Sequence, residues 1–280
     1  MFTREAVIAI LVIGLVVVLT AGIILGKRIQ RGRRRRELRA RPLPVEWIQT
    51  LEHNVPLYAK LPVELRNELH GHIQVFLAEK HFEGCQGLEL TDEMRVTVAA
   101  QACILLLNRP TNYYRKLSSV LLYPSTYVAT TYEKLGAGMH LEYDSERVGE
   151  SWSWGTVVLA WDDVQHSTSL TRDGDNVVLH EFAHQLDQAD GAADGAPILS
   201  HRASYATWCR ILSREYERLR KRVRSGRRTL LDEYGATDPA EFFAVATETF
   251  FERPRKLREK HPELYAELQR FYNVDPASWS

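Results

Sequence analysis

Two histidines and a glutamate occupy positions that suit metal-dependent hydrolysis. The segment reads HEFAH, in which His180 and His184 are four residues apart and Glu181 follows the first histidine. On an α-helix this spacing places both imidazoles on one face, about one turn apart, so that they can share one metal ion. Two imidazoles with an adjacent carboxylate are typical of zinc hydrolases, in which the carboxylate is the general base toward a zinc-activated water.

The residues around this segment favour a buried helix. Apolar residues flank the histidines, namely Val177, Val178, Leu179, Phe182, Ala183 and Leu186. Burial of two imidazoles and a carboxylate without partners is costly, and a bound metal offsets that cost. We therefore predict a metal site here, the alternative being a structural pair of core histidines.

A catalytic zinc ion needs a third protein ligand and one open position. The downstream candidates are Asp187, Asp190, Asp194, His201, Glu233, Glu241 and Glu248. Residues 239–251 predict an apolar helix in which Glu241 and Glu248, seven residues apart, can both face the histidines. Glu241 could equally be a first-turn carboxylate favoured by the helix dipole, and spacing alone does not decide between the two. Glu248 and Asp187 could instead orient an imidazole through its second nitrogen, or lie on a helix surface.

Periodicity and capping residues predict the elements that must position these side chains. The predicted helices are 62–79, 91–107, 175–188, 203–224, 239–251 and 262–272. The predicted strands, rich in β-branched and aromatic residues, are 119–124, 126–132 and 156–161. Helices that flank a small mid-chain sheet indicate the α+β class. The strand 156–161 could pair with an extended substrate or could be a core strand.

The N-terminus predicts a membrane anchor. No charged residue occurs from Ala6 to Gly26, and a helix of that length covers the hydrocarbon core of a bilayer, about 30 Å thick. Nine Lys and Arg residues follow between Lys27 and Arg41, which favours a cytoplasmic location for the rest of the chain. A cleaved signal peptide would have a shorter apolar run with its positive charge in front. We expect an anchor over residues 1–27, a basic linker over 28–42 and one domain over 43–280, at a bacterial-type inner membrane.

Charge and cysteine content limit the expected binding partners and indicate the state of the thiols. Lys plus Arg equals Asp plus Glu at 36 each, so net charge alone indicates no partner. The basic run follows an apolar span directly, so anionic lipid is its expected partner and no nucleic acid is expected. The three cysteines, Cys85, Cys103 and Cys209, have no pairing pattern and predict buried free thiols.

Several longer segments resemble one known family. They are HEFAHQLD, YGATDPAEFFAV, LAEKHFEGCQGLELTDEMRVTVAAQAC, VLLYPSTYV and GESWSWGTVVLAWDDV. Together they resemble the zinc peptidase family named for Mlc titration factor A, from about residue 43 to Pro276. The resemblance implies a zincin-like, gluzincin-type domain with His180, His184 and Glu241 as Zn²⁺ ligands. It further implies Glu181 as general base and Tyr234 as a catalytic tyrosine. The better-known members lack a long N-terminal anchor, from which this chain departs.

Three function classes follow from these observations. The first is a membrane-tethered zinc peptidase that acts on peptide or protein substrates. The second is a module that sequesters a regulatory protein such as a transcription regulator, with peptidase activity secondary. The third is a metal hydrolase of a non-peptide bond. The presence of Glu181 favours catalysis, because a structural zinc site has no use for a general base.

Overall fold

The computed structural model describes two compact units. Its backbone covers residues 4–125, 127–135, 139–147, 149–152, 155–169 and 175–279, and its side chains residues 13–125, 155–167 and 175–279. The units are Met1–Pro42 and Leu43–Ser280.

The first unit is one helix, α1 (Arg4–Arg39). Within it, Ile13–Arg39 contains a window of mean hydropathy 1.7 and is the one helix of the described chain that is long and apolar enough to cross a membrane. The apolar side chains of residues 13–29 are exposed, Val18 by 68% for example. The predicted apolar helix is therefore present. Length and composition allow it to cross a bilayer, as they also would for a signal sequence.

The second unit is mainly helical. Its described helices are α2 (Val45–Asn54), α3 (Pro56–Lys60), α4 (Val63–Glu79), α5 (Asp92–Ile104), α6 (Trp161–Ser169), α7 (Val177–Asp187), α8 (Ser204–Arg224), α9 (Pro239–Glu252), α10 (Pro254–Lys260) and α11 (Pro262–Tyr272). Two short 3-10 turns, Glu233–Ala236 and Pro276–Ser278, complete the helical elements. All six predicted helices are confirmed, with ends that differ by at most three residues.

A small sheet lies within the helices. The strands are β1 (His81–Gly84), β2 (Ser119–Tyr123), β3 (Tyr127–Leu135), β4 (Met139–Arg147), β5 (Gly149–Trp152) and β6 (Thr156–Ala160). Four of them form one sheet in the order β1-β2-β6-β5, in which β5 is antiparallel to β6 and the other neighbours are parallel. The remaining pair, β3 and β4, forms an antiparallel hairpin. The predicted strand 126–132 is thus part of β3, and its first residue lies outside the described residues.

The structure shortens the third predicted strand by one residue and decides between its two interpretations. The strand ends at Ala160, and Trp161 begins α6, where Asp162 and Asp163 occupy the helix's first turn and suit its positive end. Since β6 is paired on both sides, by β2 and β5, it cannot accept an additional strand. The core-strand interpretation of residues 156–161 is the correct one.

The helix with the HEFAH segment is held in the core. On α7, Val178, Leu179, Phe182 and Ala183 are fully buried. The Phe182 ring packs edge-to-face at 5.7 Å from that of Phe76 on α4. The same helix packs against α9 and lies beside β5 and β6. Its polar residues are therefore fixed between a second helix and the sheet.

All three cysteines are free, but they are not all buried. Cys103 on α5 is buried, Cys85 is partly exposed and Cys209 on α8 is exposed. The prediction of buried thiols is wrong for Cys209 because α8 is amphipathic and buries Trp208, Ile211 and Leu212 on its other face.

Candidate metal centre

The start of α7 is fixed by an asparagine. Asn176 caps the helix, its Oδ1 accepting a hydrogen bond from the Leu179 amide at 3.0 Å. Its side-chain nitrogen donates to Oε1 of Gln101 on α5 at 2.7 Å and to Oε1 of Glu252 on α9 at 3.0 Å. One buried residue thus joins three helices next to the first histidine.

His180, His184 and Glu241 converge on one point. The Nε2 atoms of the two histidines are 3.2 Å apart. Oε2 of Glu241 lies 2.9 Å from Nε2 of His180 and 3.3 Å from Nε2 of His184. Among the residues whose side chains are described, these three form the one group of His, Cys, Asp or Glu side chains arranged to hold a metal ion.

The three atoms fit a metal of tetrahedral preference. Zinc–ligand bonds of about 2.0–2.1 Å place neighbouring ligand atoms roughly 3.3 Å apart, close to the observed separations. Nδ1 of His180 lies 2.7 Å from Oε1 of Glu248. When the neutral imidazole carries its proton on Nδ1 and donates it to Glu248, Nε2 has a free lone pair. That lone pair then faces a carboxylate oxygen and a second imidazole nitrogen. Such a donor set needs a positive charge at its centre.

The electrostatics of the cluster agree with that need. Burial alone would raise the pKa of Glu241, but hydrogen bonds from His180 and His184 outweigh it and lower that pKa to about 2. Burial alone would lower the pKa of His180, but hydrogen bonds with Glu241 and Glu248 hold it well above its ordinary value. Without a metal ion, these shifts favour a proton on His180 beside the ionised Glu241, in the position that a metal cation would take.

Glu181 is buried beside the cluster with one oxygen unused. Its side chain is 4% exposed, and Oε2 has no hydrogen-bond partner among the described residues. Burial raises the pKa of Glu181 to about 7, although the neighbouring His180 and His184 oppose the rise. A carboxylate with an unsatisfied oxygen and a pKa near neutrality is suited to accept and return a proton.

Tyr234 stands at the open side of the cluster. It lies in the 3-10 turn before α9, is 56% exposed, and its ring centroid is 5.9 Å from that of His180. Partial burial of the side chain, followed by the negative charge of Glu241, raises the pKa of Tyr234 to about 12. The phenol therefore remains protonated at neutral pH and can donate a hydrogen bond.

Local capping places Glu241 at the cluster. Oδ1 of Asp238 accepts hydrogen bonds from the amides of Ala240 at 2.8 Å and Glu241 at 2.9 Å, and Pro239 occupies the first turn of α9. Oε2 of Glu248, two turns further on, accepts the Asn176 amide at 2.6 Å. The two glutamates thus take different positions, Glu241 among the imidazole Nε2 atoms and Glu248 behind His180.

The remaining candidates lie outside the cluster. Asp187 is buried, its Oδ2 accepting the amide of Gly195 at 2.9 Å, and burial raises its pKa to about 6. Asp190 and Asp194 cap turns of the following loop through the amides of Ala192 and Ala196. His201 and Glu233 are exposed. The structure therefore separates Glu241 from six other downstream candidates.

Sequence reasoning missed two residues that position the site. Asn176 precedes an apolar helical run, which is the usual signal of a helix cap, but its side chain also binds two other helices. Gly195 has a φ of +75°, and a Cβ there would lie 2.3 Å from the carbonyl oxygen of Pro239 at the start of α9. Its importance arises from a contact between distant segments, for which a single glycine in a loop gives no signal.

Comparison with known proteins shows the family to which the chain is similar. Residues 29–273 match the family described as glucose-regulated metallopeptidase M90. The chain is 41% identical over 244 residues to the uncharacterized protein slr2042 of Synechocystis sp., covering 87% of this chain and 89% of that protein. It is 33% identical to Mlc titration factor A of Pectobacterium atrosepticum over 82% of this chain and 88% of that one. The protein of that name from Yersinia pestis is 31% identical, over 82% and 85% of the two chains.

Proposed function

This chain belongs to the M90 family of metallopeptidases, and we propose that it is a zinc-dependent peptidase with a gluzincin-type site on α7 and α9. The observation that carries the proposal is the convergence of His180, His184 and Glu241 within hydrogen-bond distance of one another, with the unpartnered Oε2 of Glu181 buried nearby. A structural metal site would not require that fourth group.

The proposed ligands are Nε2 of His180, Nε2 of His184 and a carboxylate oxygen of Glu241. A zinc ion bound there would polarise the substrate carbonyl and lower the pKa of water to about 7. Three protein ligands leave a fourth position open on the side of the cluster where Tyr234 is exposed.

Glu181 is the proposed general base and acid. Its pKa of about 7 allows it to take a proton from the attacking water and to deliver that proton to the leaving amine. Burial excludes bulk water from the carboxylate and so favours proton transfer within the site. Tyr234 donates a hydrogen bond to the oxygen that becomes negative as the carbonyl is attacked.

We propose that an extended substrate binds along the edge strand β5. It forms the outer strand of the four-stranded sheet and lies beside α7. A peptide paired with this edge by β-augmentation would pass along the helix that carries both histidines. This places the substrate on β5 rather than on the inner strand β6.

Paired substitutions test the chemical roles. The purified chain would be loaded with zinc and assayed on a peptide library, with metal content measured in parallel. Glu181→Gln should abolish cleavage while zinc content stays at one ion per chain, and Glu241→Ala should lose both. Loss of zinc in Glu181→Gln would contradict the role of general base, and full zinc occupancy in Glu241→Ala would contradict the role of ligand. Glu259→Gln, an exposed change on α10, is the matched control.

Sequestration of a regulatory protein is the alternative function. It is suggested by the relatives named Mlc titration factor A, which are 31–33% identical to this chain. A chain with Glu181→Gln that still captures and inhibits a regulator would favour this alternative, whereas dependence of the biological effect on Glu181 would favour peptidase activity.

We further propose that α1 anchors the domain to the cytoplasmic face of a membrane. The proposal is supported by the apolar part of the helix and by the basic residues that follow it, including Arg36 and Arg39. In whole cells, a membrane-impermeant maleimide should label a Phe2→Cys variant. The exposed native Cys209 should react only after lysis, which makes it an internal control. Labelling of Cys209 in intact cells would reverse the proposed orientation.

A further inference from the structure

A large cavity lies on the face of α7 opposite the two histidines. Its volume is about 1480 Å³, and α7 and its C-terminal end contribute Gln185, Leu186 and Ala189 to the wall. On a helix, positions 185 and 189 point away from positions 180 and 184. The cavity is therefore separate from the candidate metal centre.

The wall of this cavity is positively charged. Arg109, Arg115, Lys116 and Arg270 line it, together with one carboxylate, that of Glu267. This carboxylate is paired with Arg270, and Nζ of Lys116 donates to the carbonyl oxygen of Gln188 at 2.9 Å. Arg115 is exposed. The lining thus carries four cationic side chains and one anionic side chain.

Arg109 is the least satisfied of these cations. Its Nη1 is buried and has no hydrogen-bond partner in the described part of the chain. The guanidinium lies 4.3 Å from the ring centroid of Phe271, and burial lowers its pKa despite the opposing effect of Tyr272 and Tyr114. No described carboxylate pairs with it. Arg109 is only partly exposed, and a partly buried cation without a counter-charge costs free energy that an anionic ligand would offset.

The cavity also has apolar walls. Leu106, Trp208 and Phe271 contribute to one part of the lining, and Ile198 and Leu199 come from the loop between α7 and α8. Ile198 is 52% exposed and adds an accessible apolar side chain to this part of the wall. The volume exceeds the range of about 300–1000 Å³ that is usual for small-molecule sites. Its size and mixed lining suit several residues of a polypeptide better than a single small anion.

We propose that this cavity binds a short acidic peptide segment that also carries apolar side chains, with Arg109 as the anchor for a carboxylate. The planar guanidinium matches a carboxylate in two parallel hydrogen bonds. Arg115 and Lys116 supply further positive charge at the rim, and the aromatic and aliphatic wall accepts the apolar side chains. Binding at this face does not depend on the chemistry proposed for the histidine face.

Fluorescence anisotropy tests the proposal on the full chain in detergent micelles. The probe is a fluorescein-labelled octapeptide of alternating glutamate and leucine, and the comparison peptide has glutamine in place of glutamate. A Glu181→Gln background prevents turnover, and mass spectrometry verifies that the probe stays intact. We expect the glutamate peptide to bind at least ~10-fold more tightly than the glutamine peptide, which corresponds to one charge-assisted interaction.

Substitution of Arg109 locates the site. Arg109→Met removes the charge at similar volume and should weaken binding of the glutamate peptide at least ~10-fold while Tm stays within about 3 °C. Arg210→Met, on the exposed face of α8 and outside the cavity, should leave affinity unchanged. Arg115→Gln is a second variant at an exposed position and should weaken binding about 3-fold even if Arg109→Met fails to fold.

Three results would overturn the proposal. The first is equal affinity for the two peptides, and the second is unchanged affinity in Arg109→Met. The third is displacement of the peptide from the parent chain by phosphatidylglycerol added to the micelles, with no displacement by phosphatidylcholine. The last result would assign the cavity to a lipid headgroup. Because anisotropy measures binding and not turnover, failure of the peptidase assignment leaves this test intact.

Discussion

Oε1 of Glu248 lies 2.7 Å from Nδ1 of His180, and the other oxygen of the same carboxylate accepts the amide of Asn176 at 2.6 Å. One buried side chain on α9 therefore sets both the rotation of the imidazole and the position of the first residue before α7. An imidazole whose Nδ1 proton is committed in this way presents Nε2 to the metal-binding cluster.

Glu248→Gln should weaken metal binding without unfolding the protein. The amide retains a similar shape but loses the charge that orients and polarises His180, so we expect a loss of about 10–100-fold in zinc affinity. Competition with a chromogenic chelator measures the affinity. Glu259→Gln, exposed on α10, should leave it unchanged. An affinity in Glu248→Gln equal to that of the parent would show that Glu248 has no part in orienting the ligand.

Tyr234→Phe should lower turnover while leaving the metal centre intact. The Tyr234 side chain is more than half exposed and is not one of the three converging ligands, so zinc content and Tm should not change. Loss of one hydrogen bond to the developing oxyanion is expected to lower kcat by about 10²–10³-fold with little change in KM. A change confined to KM would instead indicate a role in substrate binding.

Gly195→Ala should destabilise the protein more than a matched change at Gly226. Both glycines have a left-handed φ, +75° and +62°, which costs about 1–2 kcal/mol with any Cβ. A Cβ at Gly226 meets nothing within 4 Å, whereas one at Gly195 lies 2.3 Å from the carbonyl oxygen of Pro239. We expect a further cost of about 1–3 kcal/mol at Gly195, measured by urea denaturation.

Gly195→Ala should also affect the candidate metal centre. Since Pro239 is two residues before Glu241, displacement of the start of α9 in Gly195→Ala should also lower zinc affinity. Equal losses of stability at the two glycines, with zinc affinity retained, would show that the loop yields freely and does not fix α9.

Removal of the buried Glu215 charge should destabilise the protein in a pH-dependent way. Glu215 on α8 accepts a hydrogen bond from Nδ1 of His261 at 2.7 Å. Burial alone would raise its pKa, but His261, Arg218 and Arg214 outweigh burial and lower it. A lowered folded-state pKa stabilises the fold above the unfolded-state value, and this stabilisation is lost as pH falls through the folded-state pKa.

Glu215→Gln should therefore cost about 1 kcal/mol at pH 7, and the difference from the parent should disappear in acid below the ordinary range of a glutamate. Tm measured between pH 3 and pH 7 follows the change, with Glu259→Gln as the exposed control. A constant difference at all pH values would mean that the loss comes from packing alone.

The long amphipathic and capped helices were predictable from sequence because their signals are local. Thr91 before α5 and Asp238 before α9 both cap as their residue types indicate, through the amides of Met94 and of Ala240. The sequence analysis did not predict the helices α2, α3, α6 and α10 or the strands β1, β4 and β5. The shortest of these, α3 and β1, have too few residues for periodicity to register. The pairing of β1 with β2 depends on segments about 40 residues apart in sequence.

The candidate site was predictable in part for the same reason. The i, i+4 spacing brings His180 and His184 together on any helix. Glu241 and Glu248 share one face of α9 two turns apart, so the choice between them depends on the position of α9 along its axis relative to α7. The Asp238 cap, which fixes where α9 begins, and the burial of Phe242, Phe243 and Phe250 set that position. Burial of a whole helix surface is a tertiary property, so spacing in the sequence left the two glutamates equivalent.

The helices α7 and α9 are joined at both ends. At one end Asn176 binds Glu248 and Glu252, and at the other Asp187 holds Gly195 against Pro239. Separation of the two helices would break the buried hydrogen bonds of Asn176 at one end and the packing of Gly195 on Pro239 at the other, so we expect the two to open as a single cooperative unit. Amide protons in the middle of α7 and α9 should then exchange with solvent at one shared rate, and the ligand geometry survives every fluctuation smaller than the opening of that unit.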